Sequence, residues 1–498
     1  RPDLDGDQNI ATYVVGFHED GQLLQDTAIN GDGLFFHAEN ALELAMSIEY
    51  ALQDILRRIS AGSAVAVVST ERGADDRLYR GKFMPLDWYG YLESYAMPYE
   101  NGDAAIWEAG SILKNRHTSS RKIFTAIGDQ EFPFTEGSAA ELRVAMNAAT
   151  EAEAEALINW GRGDDVDGYR TRQGWILGDI VHSTPVVVGT PAGFTGEESY
   201  QTFHAAHENR RKLVYVGAND GMMHAFDADT GEEAWAFVPE FALPDFAVMA
   251  DSGYCHTYTC DQTVSVEDVQ VEGIWKTVLI SGGREGAAAL FAMDITYPDA
   301  PAVMWQAELP NAKAYASEVQ IVSIGGTAVA VVGSGLDGDN QDAYLYVYRV
   351  EDGALLGEPL ISHANGGFNK ASRPAIVDLN LDGEADLVYV ADLDGSIWRA
   401  RTNGSANPDF WDVMELYAGD QIITAPPVVA FGANGEVYLY FGTGAYLTEA
   451  DMVTTDQQSF ICVIDNHSGN TYSKKKLVDQ TDSIQSVEGK AGWYVDLW

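Results

Sequence analysis

A repeated unit of strand, turn and strand runs through most of this chain and restricts its possible folds more than any other feature. The clearest copy is Lys212–Pro239, where an apolar strand, an Ala-Asn-Asp-Gly turn, a second strand and a Trp-bearing third strand follow one another. Related units, the last of them weaker, recur at Thr277–Trp305, Ala328–Leu356, Ala385–Leu416, Val437–Gly469 and Arg77–Leu113. Repeats of about 40–50 residues with several strands each are typical of β-propellers, because one blade cannot bury both of its faces alone. We therefore predict a mainly β protein in which residues 63–498 form a propeller of six to seven blades.

Two segments depart from this β pattern. Apolar residues at helical spacing predict a helical insertion at about residues 138–160. Near the start of the chain, Ile10–Phe17 and Gly33–His37 have the pattern of strands and Ala41–Leu56 that of a helix. The order β, β, α over residues 1–62 indicates the closing part of an α/β domain whose other strands lie outside this chain.

The sequence pattern leaves two points about the β region open: the alternative fold and the closure of the ring. A two-sheet sandwich is the alternative fold, but sandwiches rarely repeat one motif so regularly. Gly492–Trp498 resembles the opening strand of a further blade, which leaves the closure of the ring open between six and seven blades. The strand-like residues around 64–69 are the candidate for closing it.

The charge of the chain restricts its partners. Lys and Arg total 30 against 75 Asp and Glu, a formal net charge of −45. Such a surface repels phosphate backbones and anionic lipid headgroups, so we expect neither nucleic-acid binding nor membrane-surface binding. No apolar run approaches the roughly 18 residues that a membrane span needs. Cations are the favoured small partners.

The most specific motif is an acidic loop with the spacing of a calcium site. Oxygen-bearing side chains stand at positions 1, 3, 5 and 9 of the loop, a Gly at position 6 permits the tight turn, and position 7 offers a backbone carbonyl. These predicted ligands are Asp378, Asn380, Asp382 and Asp386, with Glu384 at position 7. Because position 12 is Tyr389 and both flanks have strand patterns, we predict a Ca²⁺ site between strands rather than an EF-hand. The alternative is an ordinary Asp/Asn/Gly turn, which uses the same residue types for backbone reasons.

Other short motifs carry weaker predictions. Two acidic loops, Asp3/Asp5/Asp7 and Asp337/Asp339/Asp342, could hold a cation, but solvated turns explain them more simply. Arg162-Gly163-Asp164 matches an integrin-binding tripeptide, although in a Gly-rich acidic stretch an ordinary turn is the favoured interpretation. Cys255 and Cys260 are close enough in sequence to bridge a short loop, whereas Cys462 lies in an apolar run and is expected in the core.

Enzyme signatures are absent from the sequence. There is no GxSxG, HExxH or Walker motif and no Cys/His zinc cluster, so we predict a non-enzymatic protein. Among the ten His residues, only His256, beside Tyr258 and the two nearby cysteines, stands in a dense enough setting to merit attention. Residues 215–237 resemble the Trp-bearing repeat of quinoprotein dehydrogenases that hold pyrroloquinoline quinone beside calcium. The adjacent Cys-Cys pair usual in those enzymes is missing. A secreted quinoprotein-like dehydrogenase is therefore the alternative function and not the predicted one.

Several segments together resemble the PilY/PilC family of type IV pilus tip-associated adhesins and biogenesis proteins. The strongest resemblance lies in Gly178–Gly189 (GDIVHSTPVVVG) and Tyr215–Phe226 (YVGANDGMMHAF). It continues in family order through Trp275–Leu279, the acidic loop at Asp378–Asp386, Phe441–Leu447 and Gly492–Leu497.

This resemblance implies both domain organisation and function. In that family a von Willebrand A-type domain often precedes the propeller, so residues 1–62 would be the end of that domain. Calcium at Asp378–Asp386 would tune pilus extension against retraction. The protein would be exported through the periplasm to the pilus tip or outer cell surface, contact minor or major pilins, support twitching motility, and attach to host or abiotic surfaces. An integrin-like adhesive propeller without a pilus role is a further alternative. The RGD stretch is common in the family and implies no integrin binding.

Overall fold

The computed structural model describes most of the chain. The described residues are 12–19, 21–31, 33–40, 43–44, 47–48, 51, 62–68, 77–85, 87–99, 103–191, 197–310, 315–333, 342–362, 369–432, 435–447, 451 and 453–497, with the backbone alone at 62–68 and 360. No helix among them is both long enough and apolar enough to span a bilayer.

Six sheets of four or more strands form the β region, as the repeat predicts. Sheet 1 contains β3 (Gly62–Val68), β4 (Arg77–Met84), β5 (Tyr89–Ala96) and β6 (Trp107–Glu108). Sheet 2 contains β7 (Ile123–Ile127), β8 (Gln130–Pro133), β9 (Val186–Val188), β10 (Leu213–Ala218), β11 (Met222–Asp227) and β12 (Glu233–Val238), in the order 8-7-12-11-10-9. Sheet 3 contains β13 (Ser265–Val271), β14 (Ile274–Gly282), β15 (Ala289–Asp294) and β16 (Ala302–Glu308).

In the remaining three sheets, consecutive strands pair antiparallel except at the end of sheet 6, where β30 pairs antiparallel with β28 and parallel with β29. Sheet 4 contains β17 (Gln320–Ile324), β18 (Thr327–Gly333), β19 (Ala343–Arg349), β20 (Leu355–Gly357) and β21 (Leu360–Ser362), the last pairing with β19. Sheet 5 contains β22 (Ala375–Val377), β23 (Leu387–Ala391), β24 (Ile397–Arg401) and β25 (Asp412–Tyr417). Sheet 6 contains β26 (Val428–Phe431), β27 (Val437–Gly442), β28 (Gln458–Asp465), β29 (Val478–Asp479) and β30 (Gly492–Leu497), in the order 26-27-28-30-29.

Clusters of buried apolar side chains join each sheet to the next, from sheet 1 through to sheet 6. Aromatic pairs cross three of these interfaces: Phe237–Phe291, Trp305–Tyr348 and Tyr417–Phe441, with ring centroids 5.2, 6.2 and 5.3 Å apart. Central strands β10 and β23 are buried at every position, as expected for strands covered on both faces. This serial packing of sheets is the propeller arrangement that the repeat predicts, and it confirms the fold class.

Sheet 6 differs from sheets 2 to 5, because its outward face carries a group of aromatic rings. Tyr440, Phe460 and Trp493 contact one another there with centroids 5.9–6.4 Å apart, and Phe460 is 39% exposed. Within the described part of the chain, no buried apolar cluster connects sheet 6 with sheet 1. The prediction that Gly492–Trp498 opens a further blade is wrong, because β30 lies inside sheet 6 and pairs with β28 over six residues. The apolar strand pattern is correct, but pairing partners cannot be inferred from it.

The described helices are short and few. The helices of the described residues are α1 (Gln22–Asn30), α2 (Ala109–Lys114), α3 (Ala139–Leu142), α4 (Glu151–Arg162), α5 (Glu198–Ala206) and α6 (Asp245–Ala250). One-turn 3₁₀ helices lie at Thr118–Ser120, Glu136–Ser138, Glu240–Ala242, Pro408–Phe410 and Lys474–Lys476. The predicted helical insertion is thus present as α3 and α4. Their buried side chains pack with Met222 and Phe246 in one core cluster, which attaches the insertion to sheet 2.

The N-terminal segment contains a helix that the sequence pattern misses. β1 (Val14–Phe17) and β2 (Phe35–Ala38) pair in parallel, and parallel neighbours require a crossover connection. Helix α1 supplies it. The pattern misses α1 because Ala28 is its only fully buried residue, while Leu23 and Ile29 are 78% and 70% exposed. The β, β, α order is therefore corrected to β, α, β. The helix predicted over Ala41–Leu56 lies largely outside the described residues.

Candidate functional site

The predicted calcium loop connects β22 to β23 in sheet 5. Both flanks are strands that pair antiparallel, as the flanking sequence patterns predict. Gly383 has φ +90°, and Leu381 has φ +60°. The first value lies in the left-handed region that glycine adopts without strain, which explains the residue type at position 6 of the loop.

The side-chain oxygens of the loop bind its own backbone. The two carboxylate oxygens of Asp378 accept hydrogen bonds from the Leu381 and Gly383 amides at 2.7 and 2.8 Å. Asn380 Oδ1 accepts from the Asp382 amide at 2.9 Å. Asp382 Oδ1 accepts from the Glu384 amide at 2.9 Å, and Asp386 Oδ2 from the Leu379 amide at 2.8 Å. One compact turn therefore holds all four predicted oxygen side chains.

These bonds leave the loop able to bind a cation but do not assemble a coordination shell. A carboxylate oxygen has two lone pairs, so accepting one N–H leaves capacity for a metal. In the described residues, however, no three His, Cys, Asp or Glu side chains converge as metal ligands. Calcium binding would therefore need the carboxylates of Asp378, Asp382 and Asp386 to rotate toward a common point. Among the weaker acidic candidates, Asp3, Asp5, Asp7, Asp337 and Asp339 lie outside the described residues.

Glu384 connects the loop to the neighbouring sheet. Its carboxylate accepts hydrogen bonds from Ser323 Oγ, near the end of β17, at 2.8 Å and from the Gly326 amide, in the β17–β18 turn of sheet 4, at 3.1 Å. The Ala385 amide also donates to the Ser323 carbonyl at 2.8 Å. The side chain of Glu384 thus points away from the loop, which leaves its backbone carbonyl as the group available at position 7. The loop is part of the contact between sheets 4 and 5.

A second polar centre, which sequence reasoning missed, lies buried at sheet 2. Arg121 donates from Nε and Nη2 to the two oxygens of Glu233 at 2.8 and 2.7 Å, and both side chains are fully buried. The ring of His224 lies between two carboxylates, with Nδ1 3.0 Å from Glu233 Oε1 and Nε2 3.1 Å from Asp220 Oδ1. Burial alone would lower the pKa of His224, but Asp220 and Glu233 outweigh it and raise the pKa to about 9. Arg121 and His224 in turn hold the pKa of Glu233 well below its usual range, although burial opposes them.

The two segments that carry the strongest family resemblance meet at this centre. Asp179 Oδ2 accepts a hydrogen bond from Asn219 Nδ2 at 2.7 Å and lies 2.8 Å from His256 Nε2. Burial raises the pKa of Asp179 against the opposing effect of His256. The His256 ring stacks on Trp88 with centroids 3.5 Å apart. The close spacing of Asp220, His224 and Glu233 in the chain was the one local signal for this network. Arg121 and His256 come from distant segments.

Two remaining sequence motifs have structural roles. Arg162 is buried, and its guanidinium donates to the carbonyls of Phe134, Thr118 and Arg121. Gly163 caps α4 with φ +118°. The RGD tripeptide is therefore a helix end, as the turn interpretation predicts, and its arginine is not displayed. The cysteines are free thiols, with Cys255 exposed and Cys260 and Cys462 buried, so the loop between the first two is not stapled.

Comparisons with known proteins identify the relatives of this chain. The model of the PilY1 beta-propeller domain matches residues 177–485, more than half of the chain. A type IV pilus biogenesis factor PilY1 homolog of Xylella fastidiosa is 30% identical over 95% of this chain and 40% of its own length. PilY1 of Pseudomonas aeruginosa strain UCBPP-PA14 is 30% identical over 86% of this chain and 43% of its own length. The chain thus spans less than half the length of these relatives.

A solved structure extends the comparison to three dimensions. The C-terminal domain of Pseudomonas aeruginosa PilY1 superposes with a TM-score of 0.53 at 26% sequence identity, covering 63% of this chain and 77% of that domain. Sequence, family model and fold therefore agree, and the chain belongs to the PilY1 family.

Proposed function

We propose that the protein acts in type IV pilus biogenesis, at the pilus tip or outer cell surface after export through the periplasm. The observation that carries this proposal is the 30% identity to proteins named type IV pilus biogenesis factor PilY1 over 86–95% of this chain. The propeller would support pilus assembly, the balance of extension and retraction, twitching motility and surface adhesion. Its partners would be minor or major pilins and ligands on host or abiotic surfaces.

Calcium would act structurally in this function. Hard oxygen ligands such as those of Asp378, Asn380, Asp382 and Asp386 suit Ca²⁺. The cation would neutralise clustered carboxylates on a chain of formal charge −45. Because Glu384 bonds to the β17–β18 turn, an ordered loop would also fix the contact between sheets 4 and 5. Calcium occupancy would then change the surface that the propeller presents to pilins.

A binding role is favoured over the two alternatives. The relatives are named biogenesis factors, and the adjacent Cys-Cys pair usual in quinoprotein dehydrogenases is missing. A quinone absorbance after reconstitution with pyrroloquinoline quinone would instead favour the dehydrogenase. An integrin-like adhesive propeller without a pilus role would lack any pilin partner, so co-purification with minor pilins separates it from the proposed function.

The test is genetic complementation in the organism that encodes the chain. The gene is deleted and restored as wild type, as Asp382→Ala, and as Asp229→Ala, a control in an exposed turn of sheet 2 whose side chain is 80% exposed. Surface pili and twitching are expected to be lost on deletion and restored by the wild type and the control. Normal piliation in the deletion strain would refute the pilus role. Full function of Asp382→Ala would remove calcium from the mechanism but leave the pilus role intact.

A further inference from the structure

A cleft beside the polar centre of sheet 2 has no assigned ligand. It is a small cleft that is partly open to solvent. Four structural pieces line it: the β4–β5 turn, the segment that follows α4, the β10–β11 turn, and the end of α6 with the residues after it. Three tryptophans, Trp88, Trp160 and Trp175, form much of its wall, and the side chains of Arg170 and Arg172 reach into the same space.

The two arginines are held in place by rings and carbonyls rather than by carboxylates. The Arg170 guanidinium carbon lies 4.2 Å from the Tyr254 ring centroid and 5.5 Å from that of Trp160, and its Nε donates to the Met249 carbonyl at 2.9 Å. Arg172 lies 4.2 Å from the Trp160 centroid and donates to the Trp160 carbonyl. In the part of the chain that the structure describes, neither arginine forms an ion pair. Each guanidinium has five N–H donors, so most donors of Arg170 remain available to a ligand.

The electrostatics of the cleft favour a negative ligand beside these arginines. Burial lowers the pKa of both side chains, that of Arg172 to about 10. Asp220 opposes this decrease at Arg172, whereas Arg121 and Arg170 add to it. The two guanidiniums therefore repel each other where solvent screening is reduced. An anion placed between them would relieve that repulsion and would gain charge-assisted hydrogen bonds.

The charges around the arginines also select the type of anion. Asp179 and Asp220 line the cleft too, but each already lies within hydrogen-bond distance of a histidine, His256 and His224. Asp87, on the rim, is exposed and screened by water. These three carboxylates would repel a dianion such as phosphate more strongly than a monoanion. The aromatic wall suits a flat or apolar group attached to that monoanion.

We propose that this cleft binds a monoanionic carboxylate that carries an apolar group, with Arg170 and Arg172 as the anion-binding residues and the tryptophans as the apolar wall. The carboxylate belongs either to a small organic acid or to the C-terminus of a polypeptide. The proposal is independent of the pilus role and of the calcium loop, which lies in sheet 5.

The test titrates the chain with benzoate and with its neutral isostere benzamide, followed by tryptophan fluorescence and calorimetry. Benzoate is expected to bind saturably and benzamide at least about tenfold more weakly, because charge-assisted hydrogen bonds are lost. Inorganic phosphate is expected to bind more weakly than benzoate. No benzoate binding, or equal binding of benzoate and benzamide, would overturn the proposal. If inorganic phosphate binds with the same affinity as benzoate, the proposal that the cleft prefers a monoanion is overturned.

Variants locate the site. Arg170→Gln and Arg172→Gln are each expected to weaken benzoate binding by at least about tenfold, whereas Arg211→Gln, at a partly exposed ion pair with Asp227 and Asp299, leaves it unchanged. If Arg170→Gln no longer unfolds cooperatively on heating, Arg170→Lys is used in its place. A lysine keeps the positive charge but not the planar fork of N–H donors, so it tests the donors alone. Unchanged affinity in the folded Arg170 and Arg172 variants would overturn the site.

A pair of tripeptides separates the two sources of the carboxylate. One ends in a free C-terminal phenylalanine and the other in its amide. Binding of the free acid, but not the amide, more tightly than benzoate would assign the cleft to a polypeptide terminus. Tighter binding of benzoate than of both peptides would assign it to small organic acids.

Discussion

The pKa of a single buried histidine couples the stability of this protein to pH. His224 is fully buried between Asp220 and Glu233, and its pKa is raised from 6.5 to about 9. A group whose pKa is higher in the folded state stabilises that state fully below its unfolded pKa, near pH 6.5, and this contribution is lost as pH rises through about 9. A shift of this size corresponds to stabilisation of the order of 3 kcal/mol.

We therefore expect the free energy of unfolding of the wild type to fall between pH 7 and pH 10 more steeply than that of His224→Gln. Denaturant unfolding at several pH values measures both. His204→Gln, on the partly exposed helix α5, is the control and should keep the wild-type pH dependence. Parallel curves for the wild type and His224→Gln would show that His224 is not charged in the folded protein.

The buried ion pair of Arg121 and Glu233 gives a second prediction about individual residues. Both side chains have no exposed surface, so Arg121→Ala would leave a buried carboxylate without its bidentate partner. Removing one partner of a buried pair typically costs about 3–5 kcal/mol, whereas exposed pairs are worth about 0–1 kcal/mol. The matched control is Arg211→Ala, whose side chain is 38% exposed. A loss in Arg121→Ala no larger than in this control, measured by denaturant unfolding, would contradict the assigned role.

At the scale of elements, the end of α4 shows why a tripeptide motif can mislead. Thr150 caps the start of the helix by accepting from the Glu153 amide, and Gly163 ends it with φ +118°. A methyl group on Gly163 would also lie 2.8 Å from Ile176 Cδ1. The glycine of the RGD sequence is thus required by backbone geometry, and the buried Arg162 beside it is required by the carbonyls that it satisfies.

Gly163→Ala is expected to lower the free energy of unfolding by more than about 1 kcal/mol, because left-handed backbone is costly for any residue with a Cβ atom. Gly137→Ala is the control: a methyl group there would contact Thr135 Oγ1 at an unstrained 3.8 Å. Chemical denaturation of the two variants compares them directly. Equal stabilities would mean that the helix end relaxes without cost.

The elements also show what local sequence can and cannot predict. The buried strands β10 and β23 follow from continuous apolar runs, and the helical insertion follows from its period. The hairpin of β7 and β8 joins sheet 2 through parallel pairing of β7 with β12, more than one hundred residues later in the chain. The buried polar centre depends on the same kind of contact, since Arg121 and Glu233 are 112 residues apart. Periodicity identifies elements, but it contains no information about which distant elements meet.

At the scale of the whole molecule, the acidic loop is the best test of how far spacing alone predicts a site. Sequence spacing places Asp378, Asn380, Asp382 and Asp386 in one turn, and the structure agrees. The contact of Glu384 with sheet 4 was not predictable, because it depends on how neighbouring sheets stack. Through that contact the loop helps to position sheet 5 against sheet 4. Apolar cores lie on both sides of sheet 5, so the position of this sheet affects the packing of sheets 4 and 6 as well.

Calcium should therefore stabilise the whole propeller and not the loop alone. A ligand that binds only the folded state adds RT ln(1 + [L]/Kd), about 2.7 kcal/mol at one hundred times Kd. After chelator treatment, we expect calcium to bind saturably in calorimetry and to raise the unfolding temperature of the wild type and of Asp229→Ala, but not of Asp382→Ala. Identical titrations of the wild type and Asp382→Ala would instead mean that the carboxylates of the loop only accept backbone N–H bonds. In that case the contact between sheets 4 and 5 would be held by Glu384 without any metal, and calcium would have no part in the stability of the fold.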